Sequence, residues 1–130
     1  MTVLLETRSL SKNFGALLAT RDVSFTLEAG ARHALIGPNG AGKTTTLKAI
    51  CRLLPSTGKI AYAGADISHA KVHELPRQGL VMVPEGRGIF PQLTVAENLA
   101  MGAYARGKAD AERQYATFPR LKERRTQVAG

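Results

Sequence analysis

The sequence lacks most of what would place a protein in a membrane or staple it outside the cell. No stretch of the roughly 18 apolar residues that a spanning helix needs occurs in it. The opening residues Met1-Thr2-Val3-Leu4-Leu5-Glu6 have neither the basic head nor the cleavage site of a signal peptide. A cytoplasmic protein is expected. One cysteine, Cys51, excludes an internal disulfide, and its place among Leu47, Ile50 and Leu54 predicts a small core residue. Aromatic residues make up only 5% of the chain and tryptophan is absent, so few rings are available to stack nucleobases along a strand of nucleic acid. Acidic residues are few, 10 against 18 lysines and arginines, for a net charge of +8. That balance suits a partner such as nucleic acid or anionic lipid. The basic residues are spread out, however, and their densest group, Arg120, Lys122, Arg124 and Arg125, reads as a solvated helix face. Histidines number three. His69 and His73 share a helical spacing, but no third ligand cluster is evident, Glu74 completes no H-E-x-x-H pattern and Pro76 limits the helix, so no metal site is expected there. His33 reads as a packed side chain. No internal repeat or low-complexity segment is present.

What is present is a phosphate cradle. Gly37-Pro38-Asn39-Gly40-Ala41-Gly42-Lys43-Thr44-Thr45 satisfies the spacing G-x-x-x-x-G-K-[ST] with Gly37, Gly42, Lys43 and Thr44 in register. Before it runs Ala31-Arg32-His33-Ala34-Leu35-Ile36, mostly apolar and strand-like. After it Leu47, Ile50, Cys51 and Leu54 recur at helical intervals. The glycines remove Cβ atoms that would hold the backbone away from phosphate, so N–H groups converge on an anion at the positive end of the helix. Lys43 adds a mobile charge, and the Thr44 hydroxyl is placed for a magnesium ion bridging the outer phosphates. Nucleotide binding follows.

The rest of the chain fits around that loop. Residues 3–10 and 23–27 predict strands, the second with Val23, Phe25 and Leu27 on one face and Ser24 and Thr26 on the other. Residues 59–62 predict a third, ended by Gly64, and the three together predict a small antiparallel sheet. Residues 80–83, Leu-Val-Met-Val, predict a strand buried on both faces of a parallel sheet. At its end, Pro84-Glu85-Gly86-Arg87-Gly88-Ile89-Phe90-Pro91 is a loop carrying a carboxylate and a guanidinium where α/β proteins place their ligands. Thr94-Val95-Ala96-Glu97 is a capping box opening a helix. A second helical stretch, residues 110–118, stops at Pro119, and everything from Thr94 onward reads as helical.

These residues together resemble the nucleotide-binding subunit of ABC transporters, and most closely the ATP-binding subunit of bacterial high-affinity branched-chain amino-acid importers. The resemblance covers essentially the whole chain. It implies an α/β P-loop NTPase of the ABC ATPase type, with an N-terminal antiparallel β subdomain, a partial parallel-sheet core and a helical subdomain from about residue 94. It assigns adenine stacking to Phe14, the phosphates to Gly37, Asn39, Gly40, Ala41, Gly42 and Lys43, an inner phosphate to Thr45, and magnesium to Thr44 and Glu85. Lys43 and Glu85 are the implied catalytic residues. Glu85 stands where most of the family carries a glutamine; the run Val83-Pro84-Glu85-Gly86-Arg87 followed by Phe90-Pro91-Gln92-Leu93-Thr94-Val95-Ala96-Glu97-Asn98-Leu99 is similar to the importer version.

The family's signature motif, its magnesium-binding Asp, its catalytic Glu and its switch histidine lie further along a longer chain. The resemblance therefore implies that residues 1–130 are the N-terminal part of one such domain, a fragment without ATP turnover of its own. The implied cofactors are ATP and Mg2+. The implied partners are membrane permease subunits, a second ATP-binding subunit in a homo- or heterodimer and, indirectly, an extracytoplasmic solute-binding protein, with no nucleic acid. The implied location is the cytoplasmic face of the bacterial inner membrane, as a peripheral subunit. A groove near Arg87 and Phe90 would receive a cytoplasmic loop of the membrane subunit. Related subunits serve urea, amides or other amino acids. The other class of reading is a nucleic-acid-linked ABC ATPase, supported by charge alone.

Overall fold

The computed structural model describes residues 2–107 and 110–130. The chain divides between Met82 and Val83 into two compact units. The first is built on an antiparallel hairpin of β1 (Val3–Phe14) and β2 (Leu17–Glu28). Its two-residue loop has Gly15 at the first central position with φ 59°, the left-handed conformation that a hairpin turn of matching twist demands. Strand β3 (Thr57–Tyr62) pairs with the other edge of β1, and β4 (Ala65–Asp66) with β3, giving the antiparallel order β2-β1-β3-β4. The expected small sheet is present, and its alternation holds: Val23, Phe25 and Leu27 are half-buried while Ser24 and Thr26 are exposed.

Both long strands run further than the apolar pattern suggests, because bulges break the alternation. Leu5 and Thr7 are buried on one face and Leu10 continues it, which requires one extra residue between them. The extra residue strains the backbone at Ser9 (φ 51°) and, across the hairpin, at Asp22 (φ 46°). Hydroxyls recover the lost ladder bonds: Ser9 N donates to Ser24 Oγ (2.8 Å) and Asp22 N to Ser11 Oγ (2.8 Å). Thr7, fully enclosed, donates to Val23 O (3.1 Å) and accepts from Phe25 N (3.2 Å). Polar residues in these strands thus substitute for backbone pairing, and periodicity alone does not reveal them.

Helix α1 (Lys43–Ile50) lies against this sheet and joins Leu5, Leu10, Ile60, Tyr62, Ile67 and Leu75 in the core through Ala49 and Ile50. Its buried face is Thr46, Ala49 and Ile50; of the expected row Leu47, Ile50, Cys51 and Leu54, Ile50 is buried, Leu47 is exposed and Cys51 half-buried. The row is cut short by the helix end. Arg52 N donates to Ala49 O (3.1 Å) and Leu53 N to Lys48 O (2.8 Å), the paired bonds of a Schellman motif, with Arg52 at φ 59° in the place glycine usually fills. Leu54 lies beyond that stop. His69 precedes the 3₁₀ turn Val72–Glu74 and helix α2 (Leu75–Gln78), so no single helix carries both His69 and His73.

The segments expected to form parallel strands, residues 31–36 and 80–83, carry no ladder among the described residues. A strand is defined by its neighbour's hydrogen bonds, and neither segment has such a neighbour there. Ile36 and Val83 are correspondingly open, at 88% and 91% exposure, while Leu80 packs against the core.

The second unit opens with the loop around Glu85 and continues into α3 (Val95–Ala103), α4 (Ala111–Thr117) and α5 (Pro119–Glu123). The capping box forms as read: Glu97 N donates to Thr94 Oγ1 (3.2 Å) and Thr94 N to Glu97 Oε2 (2.8 Å). Asn98 ties the preceding loop to this helix, accepting from Phe90 N (2.8 Å) and donating to Thr94 O (2.9 Å). The chain end is not helical, contrary to the expectation for everything beyond Thr94. It folds back instead, so that Val95 N and Ala96 N donate to the carbonyls of Gln127 and Arg125, both at 2.9 Å. Those N–H groups have no acceptor inside their own helix, and the returning backbone supplies one.

The β3–β4 loop is Ala63-Gly64 with both residues at positive φ, 49° and 82°, the turn for which Asn-Gly is the favoured pair. Ala63→Asn is expected to raise stability by about 1 kcal/mol, the cost of a left-handed alanine, read as a higher denaturant midpoint at unchanged slope. Gly58→Ala is expected to do the opposite, since its Cβ would stand 2.4 Å from Ser9 O. A midpoint that moves the same way in both would show that the backbone at these two positions does not limit the fold.

Candidate functional site

The glycine loop ends where α1 begins, and one residue fixes that junction. Gly42 is the helix N-cap, at φ 90° with no side-chain cap, and a Cβ there would lie 2.0 Å from the Ala19 carbonyl oxygen of β2. Only glycine permits both the left-handed backbone and this approach. One turn on, Thr46 Oγ1 donates to Gly42 O (2.8 Å) and meets Thr20 Oγ1 of β2 at 3.0 Å in a buried hydroxyl pair. The start of the helix is therefore pinned to the sheet by a backbone contact and by a hydroxyl pair.

Pinning leaves the first turn open. The N–H groups of Lys43, Thr44 and Thr45 have no acceptor within the helix, no side chain caps them, and no acidic residue stands in the first turn. The helix dipole adds partial positive charge at the same end. Within the loop, Ala41 N donates to Pro38 O (3.1 Å) and Gly40 sits at φ 86°, while Gly37 closes on Ala41, where an added Cβ would stand 3.3 Å from the Ala41 Cβ. The Lys43 ammonium folds across this loop, donating to Gly37 O and to Pro38 O (2.9 Å). The donor set and the bare glycine backbone fit an anionic phosphate chain. Thr44 is exposed, and Asn39 and Ala41 line the same loop.

Phe14 is the last residue of β1 and 47% exposed. It pairs with Leu17 across the hairpin, and Leu17 stands two residues from Ala19, roughly 7 Å along a strand. The register therefore brings Phe14 to the same end of the sheet as the glycine loop. Lys12 pairs with Thr20, and its Nζ lies over the Phe14 ring, 5.0 Å from the centroid.

Glu85 is exposed in the second unit, in a turn with Gly86 at φ 86°. That unit also contains an open groove of about 520 Å³ walled by Ile89, Phe90, Val95, Leu99, Met101 and Leu121. Phe90 belongs to it; Arg87 is not among its lining residues. Burial pushes the Cys51 thiol above its ordinary range. Asp66 is held below the usual carboxylate range by Ser68, first through its hydroxyl and then through its backbone N–H, which donates to Asp66 Oδ1 (2.8 Å). Among the described residues no three His, Cys, Asp or Glu side chains gather as a metal site.

Ala19, Thr20 and Thr46 carry the site without a sequence motif to announce them. The signal available was the helical period of Thr46, Ala49 and Ile50, which puts Thr46 on the buried face.

A glycine loop opening onto an uncapped helix N-terminus, beside an antiparallel sheet with an exposed aromatic at its end, defines a P-loop nucleotide-binding protein. The chain belongs to the ABC transporter family, whose pattern it matches over residues 20–129. It is 40% identical over 126 residues to the high-affinity branched-chain amino acid transport ATP-binding protein BraG of Pseudomonas aeruginosa, a match covering 93% of this chain and 54% of that protein. It is 37% identical over 106 residues to the ribose import ATP-binding protein RbsA of Rhodococcus jostii, covering 81% and 21%. The fold superimposes on a nucleotide-free ATP-binding cassette from an ABC transporter with a TM-score of 0.81 and 25% identity, over 99% of this chain and 58% of that one. The chain thus spans about half the length of the first of these relatives, and less of the second.

The buried hydroxyl pair yields a double-mutant test. Thr46→Val leaves the Thr20 hydroxyl without its partner and is expected to cost about 1–3 kcal/mol, whereas after Thr20→Val the Thr46 hydroxyl keeps Gly42 O and the cost is smaller. The double variant should cost less than the sum. Additive losses in denaturant unfolding would mean that the two hydroxyls do not act as a pair.

Proposed function

We propose that the chain is the N-terminal part of one nucleotide-binding domain of an ABC importer, which binds ATP and, as part of the longer protein, hydrolyses it to drive uptake. The observation that carries this reading is the open first turn of α1, held by Gly42 against Ala19 with its N–H groups uncapped. Backbone donors of Gly40 and of Gly42 to Thr45 take the phosphates, with Asn39 and Ala41 shaping the loop and Gly37 closing it. Lys43 leaves the Gly37 and Pro38 carbonyls for the outer phosphate, exchanging neutral acceptors for a charged one. Phe14 stacks on the adenine. A magnesium ion bound with the nucleotide would supply charge neutralisation to the phosphates. The exposed Thr44 hydroxyl would hold it on the first unit, and Glu85 keeps its proposed metal and catalytic role for the longer protein.

Branched-chain amino acids are the proposed cargo, supported by the match to BraG over 93% of this chain. A sugar is the second reading, because the ribose import protein matches over 81%. Permease subunits and a second ATP-binding subunit, alike or different, are the proposed partners, with a solute-binding protein acting through the permease. The apolar groove beside Phe90 is the surface offered to the permease. The complex sits at the cytoplasmic face of the inner membrane, where this chain is peripheral; no helix among the described residues is long and apolar enough to cross a membrane.

Lys43→Ala tests the reading at its centre. Hydrogen bonds to charged groups are worth about 1.5–3 kcal/mol, so ATP affinity in a calorimetric titration should fall by roughly 10- to 150-fold. The fold should persist, since Lys43 bonds only its own loop. Equal affinity in variant and parent would remove this loop from nucleotide binding.

A further inference from the structure

We infer that Lys12 is a positioning residue for the nucleotide base, acting through Phe14: it covers one face of the ring so that the other is oriented and polarised to stack on adenine. The inference rests on the adenine-stacking reading of Phe14 and adds to it a residue that no motif names.

Lys12 and Phe14 stand two apart on β1 and so project to the same face of the strand. Across the hairpin Lys12 pairs with Thr20, the residue whose hydroxyl meets Thr46 in the glycine-loop helix, and Phe14 pairs with Leu17. The strand is therefore fixed at Lys12 by the contact that fixes the phosphate site, while Phe14 extends toward the loop of the hairpin. The ammonium sits over the ring at 5.0 Å from its centroid, within the range of a cation–π interaction. Among the described residues the ion pair is that of Arg8 with Glu6, at 2.7 Å, so the ring and not a carboxylate holds the Lys12 charge. Phe14 remains 47% exposed, which leaves ring surface for a base.

The consequences are physical. A cation on one face draws π density toward itself, and the opposite face becomes a better platform for an electron-rich purine. The same contact limits the rotation of an otherwise exposed side chain at a hairpin end, so less freedom is lost when a base arrives. Neither effect reaches the phosphates. Lys12 should thus change the discrimination between ATP and a ligand with phosphates but no base.

The test titrates the 130-residue chain with ATP and with inorganic triphosphate, both with magnesium, for the parent, Lys12→Met, Lys12→Arg, Phe14→Ala and the Lys12→Met/Phe14→Ala pair. Lys12→Met is expected to weaken ATP about two- to fivefold and to leave triphosphate unchanged. Lys12→Arg should restore the ATP affinity, and Lys12→Met should add nothing once Phe14 is alanine. Lys12→Gln serves in the same titrations if the methionine variant does not fold. Equal weakening of both ligands would make Lys12 a general charge beside the phosphates and overturn the inference. So would an unchanged ATP-to-triphosphate ratio in Lys12→Met alongside a lowered one in Phe14→Ala, which leaves base stacking standing. An unchanged ratio in Phe14→Ala would overturn base stacking itself and Lys12 with it.

Discussion

The absence of one side chain sets the site. At Gly42 the backbone passes so close to the Ala19 carbonyl of β2 that a Cβ would stand 2.0 Å from it, and the left-handed φ of 90° turns the chain directly into α1. Everything the loop offers depends on that junction. It starts the helix with three uncapped N–H groups, brings Thr46 to the Thr20 hydroxyl, and directs Ala49 and Ile50 into the core with the sheet. A larger residue would push the helix off β2 and separate the phosphate donors from the hairpin that presents Phe14. Core and site share one constraint, so a change at Gly42 cannot spare either.

Local chemistry was legible in the sequence and long-range pairing was not. The Thr94–Glu97 capping box and the alternation of Val23, Phe25 and Leu27 each lie within a few residues, and each is found as read. The strands were underestimated because Ser11 and Ser24 make their structural bonds across the hairpin, and a serine in a strand carries no mark of its partner. Leu54 was wrongly read into α1 because Arg52 adopts the conformation normally left to glycine, so the helix ends without its usual stop residue. The return of residues 125–130 along the start of α3 rests on backbone bonds that no side-chain pattern records. Residues 31–36 and 80–83 read as strands from composition, but a ladder needs a neighbour, and none is among the described residues.

The site itself was legible in its motif and hidden in its supports. Gly37 to Thr45 could be named from spacing, whereas Ala19, Thr20 and Lys12 lie in β1 and β2 and become part of the site only when the hairpin is folded against α1. Cargo is a different matter. The chain matches relatives named for branched-chain amino acids and for ribose alike, and nothing in a triphosphate site distinguishes a leucine from a sugar. Family membership follows from the loop and its context, and the cargo is proposed from similarity alone.

The claim at the centre is that backbone N–H groups at the start of α1 hold the phosphates. Amide chemical shifts followed through an ATP titration of the 130-residue chain test it most directly. Hydrogen bonding to phosphate deshields the donor, so the amide signals of Gly40, Gly42, Lys43, Thr44 and Thr45 should move downfield together and saturably, with those of β3 and β4 unmoved. Saturable shifts confined to other residues, with the loop amides unchanged at saturation, would contradict the account.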